Sequence, residues 1–246
     1  MLRLGAGSPS RGQLRPGSRS PLLCDACEVP TIGFLHTAES HVATFSALVE
    51  DIDAGCGHVH SVRPDLLRRA RDAGTVDRDV EADLGAEIHG LAAGGADIVV
   101  CTCSTLGESA ERCSPDADLM VLRVDRPMAE LAVRDGTRIA VVFALESTLA
   151  PTRALLEECA RVAGRAVEII GVPGLGAWSR FEQGDIAGYH RVVASTVDGL
   201  DRSIDVAVLA QASMAGAAPL VQSDLTVLTS PRIAVDAAVK LAARGV

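Results

Sequence analysis

The chain has 246 residues but only one lysine, Lys240, which falls near the C-terminal end in a helical pattern. A pyridoxal phosphate enzyme needs a lysine for its Schiff base, so that cofactor is poorly served here. Aromatic residues make up 2% of the chain, too few for base-stacking platforms, and the formal net charge of −9 opposes binding to a phosphate backbone. Nucleic acid is therefore not an expected partner. No apolar run approaches the length that spans a bilayer, so no membrane partner is expected either. Neither GxxxxGK[ST] nor a GxGxxG that opens a helix after the first strand is present, which argues against a nucleotide. The seven cysteines are scattered and odd in number, which fits no disulfide framework and points to a reducing, cytoplasmic setting.

What the chain does have is aliphatic. Residues of the AVILMFWYC set make up 48%. The runs "TIGFL", "ADIVVC", "RIAVVFA", "VEIIGV", "DVAVLA" and "LTVLT" read as buried parallel strands. Helical stretches such as "TLAPTRALLEECARVAG" and "DIAGYHRVVASTVDGL" alternate with them. Ser230 and Pro231 read as the N-cap and first position of a last helix. The alternation predicts an α/β fold with parallel sheets. Residues 1–29 are rich in Gly, Ser, Pro and Arg and lack a hydrophobic period, which predicts a disordered tail. Its basic, Ser-rich character suits a targeting segment, but an upstream extension of the native protein is the simpler reading. Cys24 and Cys27 form a lone CxxC there, without the two further ligands that zinc needs.

The two halves repeat. "DIVVCTCSTLG" from Asp97 aligns with "DVAVLAQASMA" from Asp205, and "TIGFLHTAES" from Thr31 aligns with "RIAVVFALES" from Arg138. Nearly equal offsets predict a duplicated unit, giving two pseudo-symmetric α/β domains with the site in the cleft between them. The predicted division assigns 30–122 and 213–246 to the first domain and 123–212 to the second. The cleft is then lined by four corresponding turns, at His36–Thr37, Cys103–Thr105, Ala144–Thr148 and Gln211–Ser213.

"VVCTCSTLGE" carries the chemistry. Cys101 lies deeper and reads as core, whereas Cys103 sits at the lip before a helix that starts with Ser104 and Thr105. A helix N-terminus presents partial positive charge and free N–H groups, which lower a thiol pKa and can hold a carboxylate.

These segments resemble the aspartate/glutamate/hydantoin racemase superfamily, on the strength of "IGFLHT", "TCSTLG", "RIAVVFALEST" and "VLAQASMA". The resemblance spans most of the chain from Thr31. It implies a cofactor-independent isomerase of racemase/epimerase type acting on a small carboxylate, and relatives often form homodimers. Its first catalytic cysteine falls on Cys103, and its carboxylate-binding threonine on Thr148, with Ser147 beside it. Thr37, Ser104, Thr105, Gln211 and Ser213 join these as substrate-binding candidates. The second cysteine turn departs from the pattern, because Gln211 stands where the family has cysteine and Ser213 where it often has histidine. Members acting on glutamate carry Asp-Ser where this chain has His36 and Thr37. Glutamine has no titratable proton and cannot be a second base. The second acid could then be His36, His60 or a water. A single-thiol decarboxylase or cis-trans isomerase of small dicarboxylates, and a non-catalytic carboxylate binder, are the other readings.

Cys56, His58 and His60 alternate along one segment in conceivable metal geometry, but the resemblance implies no metal and none is expected. Trp178 and Phe181 could line the cleft mouth or simply pack. Cys113 and Cys159 read as structural, His190 as surface or core, and "RRARDAGTVDRDVEAD" as a solvated helix pair.

Overall fold

Each apolar run becomes one strand of a parallel sheet, and each amphipathic stretch becomes the crossover that leads to the next. The computed structural model describes residues 29–114 and 119–244. The predicted tail, with Cys24 and Cys27, lies outside the described residues except for Val29. The first sheet contains β1 (Thr31–His36), β2 (Gly57–Val62), β3 (Ile98–Cys101) and β4 (Met120–Arg123), in the order β2-β1-β3-β4. The second contains β5 (Arg138–Phe143), β6 (Glu168–Pro173), β7 (Val206–Leu209) and β8 (Thr226–Thr229), in the order β6-β5-β7-β8. All pairings are parallel. The α/β fold with two pseudo-symmetric parallel-sheet halves is therefore present.

The repeat extends to single hydrogen bonds. Asp97 accepts from the Thr31 N–H at 2.7 Å, and Asp205 accepts from the Thr137 and Arg138 N–H groups at 2.8 Å each. Each carboxylate ties the start of the next-door strand in its own half. The central strands β1, β3, β5 and β7 are almost wholly buried, as expected of strands covered on both faces.

The helices are α1 (Ser40–Ile52), α2 (Pro64–Ala73), α3 (Arg78–Ala93), α4 (Ser104–Arg112), α5 (Arg126–Asp135), α6 (Leu149–Ala163), α7 (Ala177–Glu182), α8 (Ile186–Asp198) and α9 (Ser230–Ala242). One predicted boundary needs correction. Residues 213–229 do not return to the first half, because β8 is hydrogen-bonded to β7 from Val206↔Thr226 to Leu209↔Thr229. Only α9 crosses back. Its Ala234, Val235, Ala238 and Val239 join Ile32, Phe34, Phe45 and Val49 in one core of the first sheet.

Two further contacts join the halves next to the cysteine turn. The Ser104 hydroxyl donates to the Ala210 carbonyl at 2.9 Å. Arg123 is buried with Asp125, Nε to Oδ1 at 2.7 Å, and its Nη2 also reaches the carbonyls of Ser104 and Pro151. A Cβ on Gly107 would come within 2.9 Å of the Arg123 Cβ, so glycine lets α4 lie directly on this arginine. No helix among the described residues is long and apolar enough to cross a membrane.

Candidate active site

Strands of both sheets end at one cavity of about 210 Å³. The first half contributes Thr37 from the end of β1, and Thr102, Cys103, Ser104 and Thr105 from the end of β3. The second half contributes Leu145 and Thr148 after β5, and Gln211, Ala212 and Ser213 after β7. All four turns picked out by the repeat thus meet here, in keeping with the rule that open α/β sheets place sites at strand C-termini.

Cys103 is the residue immediately before α4 and is 6% exposed. Burial pushes its thiol pKa up, and the nearby Asp125 carboxylate adds to this. The Thr37 hydroxyl and the Leu106 and Thr105 N–H groups act against that rise. The expected net lowering of the thiol is therefore corrected. The start of α4 works in the expected direction, but desolvation outweighs it. Cys101 is fully buried, its S–H directed at the Cys103 carbonyl at 3.8 Å, and burial raises its pKa as well.

Gln211 has a defined orientation. Its Oε1 accepts from the Ala144 N–H at 2.7 Å and the Leu145 N–H at 3.0 Å. Two donors on one atom identify that atom as the oxygen, so the NH2 is the end left to the cavity. Gln211 is thus a fixed hydrogen-bond donor on the second-half wall.

Several candidate hydroxyls are already engaged. Ser104 donates across the domain junction, as described above. Thr105 Oγ1 lies 3.3 Å from Ser147 Oγ, Thr148 donates to the Leu145 carbonyl, and Ser213 Oγ lies 2.9 Å from the Tyr189 hydroxyl. Ser147 does not line the main cavity. It faces an adjoining one with Thr105 and Glu146.

His36 and His60 are not brought to the cavity wall. Strand alternation puts His36 on the side of Ile32 and Phe34, where it is fully buried between α1 and β2. Its Nδ1 meets Thr102 Oγ1 and its Nε2 meets His60 Nδ1, each at 2.8 Å. Burial, then His41 and His60, lowers its pKa to about 3. Cys56 turns its S–H to the Pro30 carbonyl at 3.1 Å, while His60 Nε2 meets Ser46 Oγ at 3.0 Å. Among the described residues, no group of three or more His, Cys, Asp or Glu side chains is arranged to hold a metal.

The cavity also holds residues that the sequence reading passed over. His41, at the start of α1, lines it, and its Nε2 is buried without a hydrogen-bond partner. Burial lowers its pKa to about 4. Arg68 and Arg71 of α2 form a cationic rim, although both belong to the charged run read as solvated. Arg71 lies 5.6 Å from the Trp178 ring centroid, and Trp178 stacks on Phe181 with centroids 5.0 Å apart. Both rings line the cavity, with Leu67 and Pro64, and no carboxylate does.

No protein-family profile matches the chain, and no curated protein matches it in sequence. Solved structures do match in fold. The aspartate racemase of Picrophilus torridus superposes with a TM-score of 0.67 at 12% identity, covering 87% of this chain and 94% of its own. The allantoin racemase of Pseudomonas fluorescens gives 0.60 at 15% identity, over 88% and 92%. The glutamate racemase of Francisella tularensis, solved with D-glutamate, gives 0.62 at 14% identity, over 88% and 81%. At these identities the likeness establishes a shared fold.

Proposed function

With the fold of the aspartate, glutamate and allantoin racemases as the premise, we propose that this chain is a cofactor-independent isomerase of racemase/epimerase type. It acts at the carbon next to a carboxylate, and Cys103 is its acid/base. One observation carries this reading. The Cys103 side chain, immediately before α4, lines the inter-sheet cavity beside Thr37 and Thr105 of its own half and opposite Gln211 and Thr148 of the other.

The proposed chemistry follows from the charges. A thiolate at Cys103 removes the α-proton, and the electron pair moves onto the carboxylate as an enediolate. That charge needs donors already in place, because a site that reorganises late loses most of the electrostatic gain. The Gln211 NH2 is such a donor, and Arg68 and Arg71 supply positive potential at the rim. Reprotonation from the opposite side inverts the centre, whereas reprotonation by Cys103 restores it. The only lysine, Lys240, is ion-paired with Asp236 on α9, and so takes no part in this site.

Gln211 in place of a second thiol also favours a second reading, a single-thiol decarboxylase. The same assay separates the two. Phenylmalonate and both enantiomers of aspartate and glutamate are incubated with the protein in D2O and followed by 1H NMR. Deuterium entering the α-position of both enantiomers supports the isomerase. One-faced incorporation with loss of CO2 supports the decarboxylase. Binding without exchange or CO2 loss refutes both.

A further inference from the structure

Removing the second thiol leaves a chemical gap, since inversion needs a second group to carry a proton. Four polar residues behind the cavity wall form an unbroken chain. Ser46 Oγ meets His60 Nε2 at 3.0 Å, His60 Nδ1 meets His36 Nε2 at 2.8 Å, and His36 Nδ1 meets Thr102 Oγ1 at 2.8 Å. Thr102 is the member that lines the cavity, and its Oγ1 lies 3.5 Å from His41 Nδ1, the longest link. The far ring nitrogen of His41, Nε2, is buried and unpartnered. We propose that Ser46, His60, His36 and Thr102 form a proton relay serving His41, and that His41 is the second proton-carrying group of the cavity. This rests on the reaction assigned above.

The hydrogen-bond inventory allows the chain two opposite polarities. In one, the Thr102 hydroxyl donates to the Leu35 carbonyl, 3.2 Å away. His36 Nδ1–H then donates to Thr102, His60 Nδ1–H to His36, and the Ser46 hydroxyl to His60. Every ring is neutral and each nitrogen is satisfied. In the other, every donor and acceptor along the chain is exchanged.

Passing between the two polarities moves one proton. His41 gives its Nε2 proton to the substrate carbon and takes at Nδ1 the Thr102 hydroxyl proton, which swings over from the Leu35 carbonyl. Thr102 takes the His36 Nδ1 proton, His36 Nε2 takes the His60 Nδ1 proton, and His60 Nε2 takes the Ser46 proton. Water restores the proton on Ser46, which is only partly buried. The sum is one solvent proton in and one proton delivered, with no net charge left on any member. Abstraction by His41 runs the same shifts backwards and resets the chain, as the reverse direction of an isomerase requires.

The surroundings suit neutral rings. Phe34 stacks on His36 and on His60, with centroids 5.8 and 5.3 Å apart, and Phe45 packs on His36 and His41. His58 stands edge-on to His60 at 5.2 Å. Among the described residues no carboxylate is ion-paired or hydrogen-bonded to His36, His41, His58 or His60. Accordingly, the pKa values of His36, His41 and His60 all lie below that of free histidine. A packing role alone would be met by apolar side chains at Ser46, His60 and His36.

The test uses the full chain labelled with 15N-histidine and compared by NMR with Ser46→Ala, a substitution well tolerated on a helix. In the native protein, the His36 and His60 ring nitrogens should report exchange between both neutral tautomers. In Ser46→Ala they should lock into one, and solvent exchange at the His41 ring should slow at least tenfold. Identical spectra and exchange in the two proteins would overturn the relay. In the D2O assay with both enantiomers of aspartate and glutamate, Ser46→Ala should slow formation of the α-deuterated product of inverted configuration at least tenfold while alkylation of Cys103 by iodoacetamide is unchanged. Equal rates of inversion would likewise overturn it. If native protein deuterates none of these probes, the assigned reaction fails, and the NMR comparison decides the relay by itself.

Discussion

Asp125→Asn should unfold this protein more readily than any change at the surface. Asp125 is fully buried, and Arg123 is almost so, with side-chain exposures of 0% and 3%. The carboxylate accepts two bonds from the guanidinium, at 2.7 and 3.0 Å. In Asp125→Asn one amide oxygen can still accept, but the counter-charge is lost and the remaining acceptors are the distant carbonyls of Ser104 and Pro151, at 3.5 and 3.4 Å. Leaving one member of such a pair buried and unpaired costs about 3–5 kcal/mol. At roughly 2–4 °C per kcal/mol for a domain of this size, the melting temperature should fall by about 6–20 °C. Urea unfolding followed by circular dichroism, alongside thermal melts, measures both quantities. The double change Arg123→Leu with Asp125→Leu should recover most of the loss, because replacing both partners removes the stranded charge. A loss below about 1 kcal/mol in Asp125→Asn would refute the reasoning, as would a double variant worse than the single one.

Other consequences are smaller or more local. Gly107→Ala drives a Cβ to 2.9 Å from the Arg123 Cβ and should cost about 1–3 kcal/mol in urea unfolding, despite alanine's better helix propensity. Acid stability should respond to His36. Its folded pKa, about 3, lies below the unfolded value near 6.5, so the unfolded chain binds the extra proton and stability falls as pH drops from about 6.5 to 3. That dependence is on the order of 5 kcal/mol, and urea titrations should show it shrinking in His36→Phe between pH 6.5 and 4. Arg68 has no ion-pair partner among the described residues. Arg68→Gln should raise the KM for a carboxylate substrate roughly three- to tenfold and flatten its dependence on salt, with little effect on stability.

Much of this architecture is readable from the residues. The central strands announce themselves as aliphatic runs because they are covered on both faces. The edge strand β2 reads "GHVHSV" and is only partly buried throughout, so it gives a weaker signal. β4 has four residues, too short for a period. The misplaced boundary at 213 has a similar cause. The repeat marks where the cavity turns lie, but strand pairing decides which half keeps β8. The four turns were legible because duplication forces corresponding residues to corresponding strand ends. Arg68, Arg71 and His41 were not. They reach the cavity from helices α2 and α1, and a charged run or a lone histidine looks the same in sequence whether it faces water or a site. The direction His36 faces is not legible either. A strand's last residue can turn to either side, and alternation with Phe34 sends this one away from the cavity.

The central claim, that Cys103 moves the α-proton, is tested most directly by α-deuteration in D2O with native protein, Cys103→Ser and Cys103→Ala. The probes are both enantiomers of aspartate and of glutamate, and melting curves verify that each variant is folded. The account predicts that both substitutions slow α-deuteration by about 10²–10⁴-fold, the range that a positioned acid/base supplies, while melting temperatures stay close to native. A folded Cys103→Ala protein that deuterates these probes at the native rate would contradict it.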